Sequence, residues 1–207
     1  MSSILDAIEV GKLDAELRLV FSNNPDAPAL DIARKKGIET AALSHKSIPR
    51  EHHEQQVLRI LKERGELDFI VLAGYMRILS ENFLRGFKDE RLGIYRVINI
   101  HPSLLPAFPG AHAYEDAFAY GVRLSGITVH LVDEKVDHGP ILAQECFERL
   151  PQDSLDEFKA RGLAVEHRLF PQVLQEISKN GIQLLNCTRT QSKYNAEKAV
   201  LTSTHGG

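Results

Sequence analysis

An asparagine and a histidine interrupt a β-branched apolar run in the stretch 97–112, VINIHPSLLPAFPGAH, where packing alone asks for neither. Side chains two apart on a strand share a face, so an extended Val97–His101 presents the carboxamide of Asn99 beside the imidazole of His101. Such a pair can donate to an oxygen that gains charge and can move a proton near neutral pH. Pro102, Pro106 and Pro109 then forbid a helix or a central strand and leave a stiff loop. The strand therefore delivers two polar groups to its carboxyl end, the edge at which open α/β sheets bind ligands.

Two further features bear on the same chemistry. In 136–140, VDHGP, a glycine and a proline hold Asp137 in a tight connection. Turn aspartates usually serve their own backbone. Within reach of His101, however, Asp137 favours the charged ring and raises its pKa from the ordinary value of about 6.5. Thr128 and His130, again two apart on a strand, face the same site and are read as substrate contacts. A lone strand histidine is more often a core group satisfied by a carbonyl, but an asparagine on the same face with a proline loop behind it reverses those odds.

Other chemistries find little support. His52 and His53 are adjacent on a helix and cannot face one ion, and no HExxH pair occurs, so no metal is expected. Ser103 lies near His101 without a GxSxG elbow, and Cys146 and Cys187 sit in no recognisable motif. The equipment suits direct transfer between two bound substrates, with no covalent intermediate.

Positioning these groups falls to an alternating chain. A helix opens it, capped by Ser2 or Ser3 and stopped at Gly11. Glu16–Ser22 reads as a strand, 27–36 as a helix with Asp26 as its cap, 39–43 as a weak strand, and 50–64 as a polar-faced helix. The run 69–73, FIVLA, suits a strand buried on both faces. Ser80 caps a short helix through Leu84, 88–96 is a surface excursion, and 112–120 is a helix. The segments 126–132 and 141–147 pair as strands, and 156–177 is a long amphipathic helix. This alternation argues a parallel sheet built from βαβ units.

Lys plus Arg number 25 against 28 for Asp plus Glu, a balance that gives no footprint for nucleic acid or an acidic membrane. Two distant cysteines predict reduced thiols in a cytoplasmic protein, and no apolar segment approaches a bilayer span.

Three segments, INIHPSLLPAFPG, GITVHLVDEKVDHGPILAQ and FIVLAGYMRILS, together resemble the phosphoribosylglycinamide formyltransferase family, folate-dependent enzymes of purine synthesis. The resemblance runs over residues 4–177. It implies a Rossmann-like domain that moves a formyl group from 10-formyltetrahydrofolate to the amine of glycinamide ribonucleotide. By resemblance, Asn99 binds the formyl oxygen, His101 stabilises the oxyanion and handles the proton, and Asp137 keeps the imidazole charged. Met76, Arg77, Ile78 and Leu79 line the folate pocket, with Arg50 beside it and Val132, Asp133, Glu134 and Val136 on the other wall. Glu166 binds the ribonucleotide.

One departure stands at the front. The family begins with an apolar strand and a glycine-rich loop, whereas here residues 1–3 lead straight into a helix and no glycine precedes Gly11. The expected fold is an open, mostly parallel sheet with helices on both faces, missing its N-terminal strand and its amide cradle for a phosphate. The expected cause is a start site placed too late or a truncated chain. The catalytic domain is expected to span 1–182, followed by a frayed tail over 183–207. A formyltetrahydrofolate hydrolase, or a truncated form that binds folate without turnover, is the alternative. The partners implied are small-molecule substrates, with no nucleic acid or membrane and a homodimer left open.

Overall fold

Residues 1–182 and the strand Lys198–Thr202 are described in the structure, a computed structural model. The first half alternates as expected: α1 is Ser2–Glu9, β1 Glu16–Ser22, α2 Pro28–Lys35, β2 Thr40–Ala42, α3 Arg50–Lys62 and β3 Phe69–Leu72. Then come α4 at Glu81–Arg85, a small antiparallel pair of β4 at Lys88–Asp89 and β5 at Ile94–Tyr95, and β6 at Val97–His101. The chain continues through α5 at Ala113–Tyr120, β7 at Leu124–Leu131, β8 at Ile141–Glu148, α6 at Leu155–Asn180 and β9 at Lys198–Thr202.

Local chemistry explains most boundaries. Ser80 and Ser154 cap α4 and α6, the latter through a reciprocal box with Glu157, and Gly121 ends α5 in the left-handed region at φ 85°. Two expected caps fail. Met1 occupies the cap position of α1 and Ala27 that of α2, neither with a side-chain bond. For α2 the ring of Pro28 already presets the first turn, so Asp26 has less to add.

Seven strands form one sheet in the order β2-β1-β9-β3-β6-β7-β8. The first five are parallel, while β7 runs antiparallel to β6 and β8. The open, mostly parallel sheet is the expected one, but the missing strand is not missing. Lys198–Thr202, within the stretch expected to be a frayed tail, lies between β1 and β3 and pairs with both.

The strands send alternate residues to two cores. Val20, Phe69, Val71 and Ile98 join α1, α2, α5 and α6 in one; Leu19, Phe21, Ile70 and Leu72 join α3 and α4 in the other. Phe158 of α6 is fully buried against Phe118 and Phe147, a contribution of about 1.5–3 kcal/mol for one side chain. Among the described residues no helix is long and apolar enough to cross a membrane.

Candidate active site

The site is built where β6 leaves the sheet. Its register with β7 sets Asn99 opposite His130 and His101 opposite Thr128. Thr128 donates to the Ser103 carbonyl at 2.6 Å and accepts from the Leu105 amide at 3.1 Å and the Gln144 carboxamide at 3.0 Å. Those bonds pin the proline loop to β7. Farther along, Phe108 adopts φ 51°, and its carbonyl accepts from His101 Nε2 at 2.8 Å.

Asp137 comes from the β7–β8 connection, also in the left-handed region at φ 51°. Its Oδ2 accepts from the Gly110 amide at 2.7 Å and lies 3.3 Å from His101 Nδ1, while Oδ1 lies 3.7 Å from His130 Nε2. A side chain at Gly139 would put its Cβ 1.9 Å from the Leu131 carbonyl oxygen, so only glycine lets the connection fold back this tightly. Non-glycine residues at positive φ on both loops, Phe108 and Asp137, thus grip one imidazole between a carbonyl and a carboxylate, the kind of local strain that clusters at functional sites.

Asn99 and His101 lie together as the spacing predicts and Asp137 joins them as the resemblance implies, but the three are not equally available. His101 is 4% exposed and both its nitrogens face protein oxygens, so the direct contact expected with a formyl oxygen is not offered by this arrangement. Asn99 is half-buried and open on one side.

What aims Asn99 is His130. Its Nδ1 lies 2.8 Å from the Leu131 carbonyl, which can only accept, so Nδ1 carries the proton and Nε2 a lone pair. That lone pair accepts from Asn99 Nδ2 at 3.3 Å. Burial holds the His130 pKa below the usual histidine value, against the opposing pull of the Leu131 carbonyl and Asp137, so the ring stays neutral. One Asn99 N–H is therefore committed, and the second N–H and Oδ1 remain for a ligand. Thr128 and His130 are 0% and 1% exposed with their polar atoms engaged. Both are struts of the site, which corrects their reading as substrate contacts. Strand alternation put them on the right face without saying that neighbours already fill it.

Of the residues expected to hold folate, Met76, Ile78 and Val136 leave 65%, 57% and 48% of their surface uncovered. Large apolar side chains left open in this way suit a flat ligand. Leu79 instead packs in the core and Val132 packs against it. Arg77 hydrogen-bonds Tyr75, whose hydroxyl burial pushes up to about 12. Asp133 accepts from the Lys135 amide at 2.9 Å and pairs with His138 at 2.7 Å, and Glu134 takes the Tyr95 hydroxyl.

Arg50 stands on the first turn of α3 with its Nε 3.3 Å from Glu54. Glu54 itself escaped the sequence reading. It is 5% exposed and accepts from both the amide of Ser80, at 3.0 Å, and its hydroxyl, tying α3 to the loop that carries Met76–Leu79. His53, fully buried, donates from Nε2 to the Leu43 carbonyl at 2.9 Å, and burial lowers its pKa. A glutamate four residues after Arg50 was the available signal, masked by a helix read as polar-faced. Glu166 is half-buried on α6 beside the start of α1 and Tyr114; burial pushes its carboxyl up, so it is no solvated surface charge.

Among the described residues no group of three or more His, Cys, Asp or Glu is arranged to hold a metal ion. Cys146 is an exposed free thiol, and Cys187 lies outside the described residues.

Comparison with known proteins supplies the family. Residues 1–174 match the family model described as formyl transferase. Phosphoribosylglycinamide formyltransferase of Bacillus subtilis is 35% identical over 175 residues, covering 84% of this chain and 87% of that protein. The trifunctional purine biosynthetic protein adenosine-3 of Drosophila pseudoobscura is 39% identical over 88% of this chain, which spans only 13% of that relative's length. The crystal structure of phosphoribosylglycinamide formyltransferase from Bacillus halodurans superposes with a TM-score of 0.79 at 39% identity, covering 85% of this chain and 88% of that one. With the trio assembled at the carboxyl edge of a Rossmann-like sheet and the match extending over most of its length, this chain belongs to the formyl transferase family.

Proposed function

We propose that this chain transfers a formyl group from 10-formyltetrahydrofolate to the amine of glycinamide ribonucleotide, a step of purine biosynthesis. The observation that carries the reading is the convergence of Asn99, His101 and Asp137 on one sheet edge, with Asp137 3.3 Å from His101. The family match and the names of its relatives support it. The uncovered Met76, Ile78 and Val136 supply apolar walls for the folate rings. Arg50 is assigned to the acidic end of the folate and Glu166 to the ribonucleotide, with residues 1–182 and the strand Lys198–Thr202 together as the catalytic domain.

In the reaction the amine nitrogen attacks the formyl carbon, the carbonyl oxygen gains charge, and collapse breaks the bond to the folate nitrogen. The amine loses one proton and the leaving nitrogen gains one. Asn99 donates its uncommitted N–H to the charged oxygen. Asp137, facing His101 and His130, takes the proton from the amine directly or through water. His101 holds the carboxylate in register from its place between the Phe108 carbonyl and Asp137.

The test is a direct assay with both substrates. Asn99→Ala and Asp137→Asn should each lower kcat by roughly 100-fold or more with KM little changed, as befits groups that act on charge developed in the transition state. Absence of transfer at saturating substrates, or formate release without the amine, would reject the reading.

A further inference from the structure

The parallel half of the sheet is joined through its latest strand. Among the described residues β1 and β3 are not paired with each other, and β9 alone connects β2 and β1 to β3, β6, β7 and β8. We infer that Lys198–Thr202 serves as the leading strand of the fold: the chain carries a cyclically shifted βαβ order, and its site is complete only when this late strand is docked.

The register supports this. Lys198 lies level with Glu16, where β1 begins, and Thr202 lies level with Phe21 and Leu72 at the carboxyl edge. Leu72 is level with Asn99, and Asn99 with His130, so β9 ends in the row that carries the candidate catalytic carboxamide. Parallel neighbours such as β9 and β1 require a crossover helix between them. The helix that feeds β1 is α1, which turns back through Gly11 at φ 69° into a short connection before Glu16. A helix of eight residues is about 12 Å long. Running opposite to β1, α1 therefore starts toward the edge at which β9 stops. In space β9, α1 and β1 take the places of an ordinary βαβ unit, although β9 comes last of the three in the chain. Residue types agree: Ala199, Val200 and Leu201 are apolar and Gly206 and Gly207 follow, the strand-then-glycine order that the first eleven residues lack.

Two measurements test the inference, and neither folding readout depends on the substrate assignment. A reordered chain places residues 198–207 ahead of Met1 and keeps 1–197 behind, retaining all 207 residues. It should unfold cooperatively and keep transfer activity within roughly threefold of the original order, because a permutation that leaves the fold unchanged is tolerated. Failure of the reordered chain to unfold cooperatively would overturn the equivalence. In the unaltered chain, amides of Lys198–Thr202 should exchange with solvent as slowly as those of Phe69–Leu72, since both strands are then released only by global opening. Exchange faster by about 100-fold or more in Lys198–Thr202 would show that β9 is not docked, and would sink the inference.

Discussion

Asn99 owes its orientation to a neighbour buried beneath the site. His130 accepts one of its two amide hydrogens at 3.3 Å, is held neutral by burial, and has its tautomer set by its own bond to the Leu131 carbonyl. His130→Phe, which removes the acceptor and keeps the ring, should lower kcat by about 10-fold with little change in KM, and His130→Gln should recover part of it. The decisive control is His130→Phe in an Asn99→Ala background. If His130 acts through Asn99, the second change costs almost nothing there, whereas fully additive losses would refute the coupling. At this scale Asn99 and His101 were legible because residue type and a spacing of two survive any packing, while Asp137 was joined to them by family resemblance. The roles of Thr128 and His130 were not, since both depend on what surrounds a side chain once the sheet is assembled.

Elements hold the two ligand walls at a distance set by a few buried bonds. Glu54 fastens α3 to the loop before α4 through the Ser80 amide and hydroxyl, and Arg50 leans on the same carboxylate. Glu54→Ala leaves the Ser80 amide without its partner and should destabilise the fold by about 1–3 kcal/mol, read from denaturant unfolding. It should also weaken folate binding, and an unchanged folate affinity would show that the loop is held by other means. Gly139 is the counterpart on the opposite wall. A methyl there meets the Leu131 carbonyl, so Gly139→Ala should displace Asp137 and reduce kcat as Asp137→Asn does. Retention of full activity would contradict the tight connection. Alternation and stop residues located nearly every element, but a carboxylate that joins α3 to a loop 26 residues away leaves no periodic trace.

For the whole molecule, two buried neutral histidines tie stability to pH. Burial lowers the pKa of His53 and of His130 below 6.5, so the unfolded chain binds protons at a pH where the folded chain does not. Their contribution is fully present above the unfolded value and is lost as pH falls through the folded ones. The thermal midpoint should accordingly drop between about pH 7.5 and about pH 5.5, and a flat profile would refute it. Glu166 works the other way: its raised carboxyl favours the folded state below 4.5, and that contribution is lost as pH rises through the folded value. From the sequence by itself came the α/β alternation, the two buried faces of the strand at 69–73 and the Asn99, His101 and Asp137 constellation. The alternation and the Asn99–His101 pair are written within a few adjacent residues, whereas Asp137, 36 residues beyond His101, was joined to them by family resemblance. Only the tertiary structure decided which strand stands between β1 and β3, and which polar groups are spent on protein partners. Periodicity tells which way a side chain points, whereas strand order and hydrogen-bond partners belong to residues far apart in the chain and exist only after it has folded.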